Sequence, residues 1–131
     1  MKPTVALVYD DGPSEWTGPL LDILAEHDSR ATFFVLGCHL QGRSDLLRRM
    51  VDEGHSIGLH GFSHERGLSP LATLRELEMT REAVFRATDR RPKLWRPPWD
   101  EASFSLIGYV RVRVTVDGHD VSTGEDQIVR A

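Results

Sequence analysis

Short apolar runs and amphipathic stretches take turns along the chain. Thr4-Val5-Ala6-Leu7-Val8-Tyr9 is rich in β-formers and stops at Asp10-Asp11-Gly12-Pro13, a strong turn signal. Leu20, Leu21, Ile23 and Leu24 then recur at helical spacing behind Gly18-Pro19, where proline suits a first turn. Ala31 to Leu36 is a second buried-strand run closed by Gly37, and Ser44 is placed to cap a helix whose apolar positions are Leu46, Leu47, Met50 and Val51, with Gly54 at its end. A third strand is expected around Ser56 to Leu59. Ser69-Pro70 opens the longest helix, with Leu71, Leu74, Leu77, Val84 and Ala87 on one side. Lys93-Leu94-Trp95 reads as a fourth strand. Tyr109 to Val116 reads as a fifth, with valines at 110, 112, 114 and 116 alternating against Arg111, Arg113 and Thr115.

Strand followed by helix, repeated along the chain, is the pattern of a parallel α/β sheet or barrel, in which polar sites gather at the carboxyl ends of the strands. With 131 residues, no internal repeat and no linker, residues 1–131 read as one domain. The 16 basic and 20 acidic residues leave a net charge of −4, so no nucleic-acid partner is expected. No apolar run approaches the roughly 18 residues of a membrane span. The first ten residues lack the pattern of an export signal. Taken as complete, the chain is expected in the cytoplasm; taken as trimmed of a signal, it is expected to be secreted or in the cell envelope. Cys38 is the single cysteine, which excludes an internal disulfide and any multi-thiolate zinc site and leaves His, Asp and Glu as ligands. It is expected to pack as a small apolar residue.

The polar clusters fall where such a fold places its chemistry. Asp10-Asp11 follows the first strand, His60-Gly61-Phe62-Ser63-His64 the third, Arg96-Pro97-Pro98-Trp99 the fourth, and Asp117-Gly118-His119-Asp120 the fifth. His60 and His64, four apart, reach one ion from a helix or tight turn, although the same spacing also arises in surface or capping histidines. Two imidazoles and a carboxylate make three protein ligands with positions left open, a catalytic arrangement suited to Zn²⁺ and also to Co²⁺, Ni²⁺ or Fe²⁺. Adjacent aspartates divide labour, one as ligand and one as the base that takes a proton from water, whose pKa an ion lowers to about 7; the alternative is an ordinary Asx turn. Arg96 at a strand end needs a carboxylate partner, and Asp10 is the natural one; the alternative is an ordinary surface arginine. His27, His39 and His55 read as surface or loop positions.

These residues, in this order, resemble the polysaccharide deacetylase family, the NodB-homology domain. Val8-Tyr9-Asp10-Asp11-Gly12-Pro13, Gly54 through His64 and Trp95-Arg96-Pro97-Pro98 carry the likeness, supported by Leu20 to Leu24 and Ala31 to Gly37, over about Val5 to Asp120. The resemblance implies a distorted (β/α) barrel and metal-dependent removal of acetyl groups from an N-acetylglucosamine-containing glycan or an O-acetylated sugar. It implies Asp10 as catalytic base, Asp11, His60 and His64 as ligands of one divalent ion, and Arg96 as the residue that orients the base. Tyr9, Trp99, Asp117 and Asp120 would lie along the substrate groove, with the Trp99 amide facing the oxyanion.

Four departures from the family pattern bear on this reading. Tyr9 replaces phenylalanine, Asp100 stands where glycine is usual, and Val121 follows Asp120 where the family has tryptophan. The fourth is larger: the closing Leu-x-His motif that supplies the general acid has no counterpart in Val121 to Ala131, which leaves His119 as the candidate acid. Trp99 to Tyr109 is also short for a crossover between parallel strands. An incomplete barrel lacking the final strands is therefore expected. The competing expectation is a non-catalytic metal- or sugar-binding relative that has lost its acid.

Overall fold

The computed structural model describes residues 4–114. Its elements are β1 (Leu7–Gly12), α1 (Thr17–Glu26), β2 (Ala31–Val35), a 3₁₀ turn (Gly37–His39), α2 (Ser44–Asp52), β3 (Ser56–Leu59), α3 (Pro70–Thr88), β4 (Leu94–Trp95), a second 3₁₀ turn (Pro98–Asp100) and β5 (Val110–Arg111). All paired strands run parallel, in the order β1-β2-β3-β4-β5. Sheet order equal to chain order lacks the reversal of a doubly wound sheet; among the described residues it is the winding of a barrel open along one side. The expected α/β class and its five parallel strands are both present.

Strand alternation assigns two faces. On one, Ala31, Phe33 and Val35 of β2, Leu59 and Trp95 form a single cluster with Leu21 and Leu24 of α1, Leu47 and Met50 of α2, and Leu77 and Val84 of α3. All three helices therefore cover the same side of the sheet. Phe34 points the other way and is fully buried. Its register partner is Gly58, where a Cβ would meet the phenyl ring at 2.4 Å, so the ring occupies the space a side chain would need. Asp10 is the β1 partner of Phe34 and shares its face.

The element ends follow local chemistry. The Ser69 hydroxyl accepts the Ala72 N–H at 3.2 Å and caps α3. Gly54, at φ 82°, ends α2: its N–H donates to Val51 O and that of His55 to Met50 O, a Schellman closure. Ser44, expected as the α2 cap, is instead its first residue, and Arg43 occupies the cap without a side-chain bond. β1 lies later than expected, because Asp10 and Gly12 still pair with β2 and the strand runs through the aspartates. In β5 the valine face is reversed. Val110 is 57% exposed, whereas the Arg111 guanidinium turns inward to donate to the Ala102 and Asp100 carbonyls. The short crossover from β4 to β5 contains no α-helix; a 3₁₀ turn and the loop 101–109 make it, anchored to α3 where the Tyr109 hydroxyl donates to Glu78. Burial and that contact push the Tyr109 phenol up to about 12.

Candidate metal centre

Successive residues of a regular strand face opposite sides of the sheet, so Asp10 and Asp11 would ordinarily be separated by the backbone. Here the register breaks between Asp10, paired with Phe34, and Gly12, paired with Val35. Asp11 is the bulged residue, at φ 66°, in the left-handed region that aspartate tolerates better than most residues. The bulge re-aims its carboxylate. Asp11 Oδ1 lies 3.2 Å from His60 Nε2 and 3.2 Å from His64 Nε2.

Each histidine has its own support. His60 leaves the end of β3, where its N–H donates to Val35 O at 2.9 Å, and its side chain is 4% exposed. Its Nδ1 donates to the Arg96 carbonyl at 2.7 Å, which orients the ring and aims Nε2 at Asp11. The loop from His60 to His64 turns on Gly61 at φ 91° and returns His64 at φ 62°. Glu76 of α3 organises that turn: Oε2 accepts the N–H of Phe62 at 2.6 Å and of Ser63 at 2.8 Å, and the carboxylate also accepts the Ser63 hydroxyl. The buried Thr80, one turn further along α3, donates to Gly61 O at 2.9 Å.

The hydrogen bond with His60 holds the Asp11 carboxyl below the ordinary carboxylate range, against burial, which opposes it. Burial pushes the His64 imidazole down, with the Asp11 charge opposing. A charged carboxylate and neutral imidazoles are the ligand forms. One ligand atom from each of Asp11, His60 and His64 lies within 4.8 Å of the others. Beside this trio, Arg96 Nη1 donates to Asp10 Oδ2, while Asp10 Oδ1 is buried with no partner. The donor set and the orphaned Asp10 oxygen both fit a divalent ion with water beside it.

Trp99 forms one wall. Its ring lies 4.9 Å from that of His64, with the Arg66 guanidinium 4.0 Å from its centroid on the rim. Its indole N–H donates to His64 O at 3.4 Å. Trp99 and Asp100 have φ of 60° and 54°, a costly conformation for a bulky residue, and the inward guanidinium of Arg111 braces the segment that follows.

The structure thus brings together Asp10, Asp11, His60, His64, Arg96 and Trp99. Tyr9 sits elsewhere. It shares the helix-covered face, stacks on its register partner Phe33 at 5.5 Å, and has its phenol pushed up by burial. Asp117, His119 and Asp120 lie outside the described residues.

Three other expectations are corrected. Cys38 is exposed rather than packed. His55 is buried, and its Nδ1 accepts the Ala31 N–H at 3.1 Å. His39, expected as a bland loop position, donates from Nδ1 to the Asp11 carbonyl at 2.7 Å. Glu76 escaped notice altogether. The available signal was a polar stripe, Thr73, Glu76 and Thr80, set at helical spacing beside the buried Leu77.

Residues 1–109 match the family described as polysaccharide deacetylase. The chitooligosaccharide deacetylase of Rhizobium leguminosarum bv. trifolii is 38% identical over 139 residues, covering 97% of this chain and 64% of that protein. Among solved structures, the peptidoglycan deacetylase PdaC from Bacillus subtilis superposes with a TM-score of 0.83 at 34% identity, over 88% of this chain and 60% of that one. The family 4 carbohydrate esterase from Streptomyces lividans in complex with acetate gives 0.81 at 33% identity, over 87% and 64%. The chain spans between about a quarter and two thirds of the length of the curated relatives it matches.

Proposed function

The chain belongs to the polysaccharide deacetylase family, and from that premise we propose that it hydrolyses acetyl groups from a glycan, N-acetylated glucosamine units first and O-acetylated sugars second. One observation carries the reading: three ligand atoms from Asp11, His60 and His64 converge beside Asp10, whose Oδ2 is held by Arg96 and whose Oδ1 is free.

Asp11, His60 and His64 would hold one divalent ion, zinc first among the candidates. Such an ion supplies a Lewis acid for the acetyl carbonyl and lowers the pKa of water. Asp10 Oδ1, with no donor of its own, takes the proton of the attacking water. Arg96 occupies the other oxygen and keeps the carboxylate from rotating, while its main-chain carbonyl orients His60. The Trp99 ring offers the sugar an apolar face, and its amide is assigned to the developing oxyanion. The proton for the departing amine or alcohol is assigned to His119.

The test is acetate release from N-acetylglucosamine oligomers and acetylated xylan, with Zn²⁺ or Co²⁺ restored. Release that chelator abolishes and metal restores is the expected result. Protein that carries its metal yet releases no acetate would favour the binding relative instead.

A further inference from the structure

Among the three ligands, Asp11 is the least enclosed: its side chain is 60% exposed, against 4% for His60 and 24% for His64. It is also the residue out of register with β2, in a left-handed conformation. A ligand on a loosely held backbone must be ordered each time an ion binds, and affinity falls accordingly. Two hydrogen bonds hold the backbone here. Gly12 O accepts the Leu36 N–H at 2.9 Å, and Asp11 O accepts His39 Nδ1 at 2.7 Å.

His39 stands on the 3₁₀ turn that leaves β2, and that turn is itself tied to the histidine loop. Gly37 N–H donates to Gly61 O at 3.1 Å and Cys38 N–H to Phe62 O at 3.0 Å. At Gly37 a Cβ would come within 2.1 Å of Phe62 Cδ2, so turn and loop are in close contact. Three consecutive residues thus join the end of β1 to the loop that carries His60 and His64.

We propose that His39 is a positioning residue for the metal centre: by holding the Asp11 carbonyl it sets the distance between the Asp11 carboxylate and the two histidines. The inference rests on the reading of Asp11, His60 and His64 as ligands.

The test compares His39→Asn with His39→Leu in the full chain. The two replacements have nearly the same shape, but only asparagine retains a side-chain N–H. Zn²⁺ affinity is read by competition with a chromophoric chelator, and the melting of the metal-free protein is followed alongside. The expected result is a loss of ~10–100-fold in affinity for His39→Leu and recovery of most of it in His39→Asn, with similar melting of all metal-free forms. Equal affinity of His39→Leu and the parent overturns the role of His39. Equal weakening of both variants overturns the hydrogen bond as its cause. Should His39→Leu fail to fold, His39→Ala against His39→Asn makes the same comparison. A parent chain that binds no ion overturns the ligand reading itself, which separates that failure from one confined to His39.

Discussion

The main-chain carbonyl of Arg96 accepts the Nδ1 proton of His60 at 2.7 Å. The same residue's guanidinium holds Asp10, so a single position at the end of β4 orients His60 through its backbone and Asp10 through its side chain. These two duties separate under mutation, because substitution at 96 removes the guanidinium and leaves the carbonyl.

Arg96→Lys is expected to lower acetate release by at least ~10-fold while Zn²⁺ affinity changes little, since a point charge replaces the planar fork on Asp10. Asp10→Asn removes the proposed base and is expected to cost ~10²–10⁴-fold in turnover, again with the ion retained. Turnover by metal-loaded Asp10→Asn equal to that of the parent would remove Asp10 from its role.

Glu76 accepts two backbone N–H groups and a hydroxyl at the histidine loop, and an amide in its place keeps one oxygen acceptor but removes the charge that strengthens all three bonds. Glu76→Gln is expected to destabilise the fold by about 1–3 kcal/mol and to weaken Zn²⁺ binding. Denaturant midpoints and chelator competition read the two effects separately. Unchanged values for both would show that the loop holds its shape without the carboxylate.

Gly37→Ala drives a methyl into Phe62 and Thr80, at 2.1 Å and 2.5 Å from their nearest side-chain atoms. The expected cost is about 1–3 kcal/mol, from the backbone shift that relieves the overlap. Gly42→Ala is the comparison: nothing lies within 4 Å of that Cβ, and only the left-handed φ of 74° opposes it.

His55 gives the metal-free protein a pH dependence of defined sign. Burial pushes its imidazole below the ordinary value of 6.5, with Glu53 opposing and Arg30 and Arg49 reinforcing, and its Nδ1 accepts the Ala31 N–H. The folded pKa therefore lies below the unfolded one. Between the two the unfolded chain binds the extra proton, so stability is full above pH 6.5 and declines as pH falls from there toward the folded value. Urea midpoints from pH 7.5 to 5 should fall in the parent, and the slope should flatten in His55→Gln. An equal slope in both proteins would assign the effect to other groups.

Much of the candidate site was legible because its donors sit in short contiguous motifs at strand ends. Asp10-Asp11, His60-x-x-x-His64 and Arg96 are identifiable from residue type and spacing alone, and the Asp10–Arg96 pair is as expected. The supporting residues were not, because their partners are distant in sequence. His39 reaches a carbonyl 28 positions away, Glu76 serves amides 13 and 14 positions away, and nothing beside them in the chain marks the contact. Tyr9 shows the converse: adjacency to Asp10 suggested the groove, and strand parity sends it to the helix-covered face against Phe33.

The alternation of strands and helices, the class of fold and the chemistry of the donors are all written locally along the chain, because hydrophobic periodicity and side-chain type are local properties. The winding of the sheet in chain order, the bulge that turns Asp11 toward His60 and His64, and the struts from His39, Glu76 and Arg96 arise only on folding. Those depend on strand register and on which backbone groups are left to be satisfied once the sheet has closed around Phe34, and both are set by packing among segments far apart in the chain.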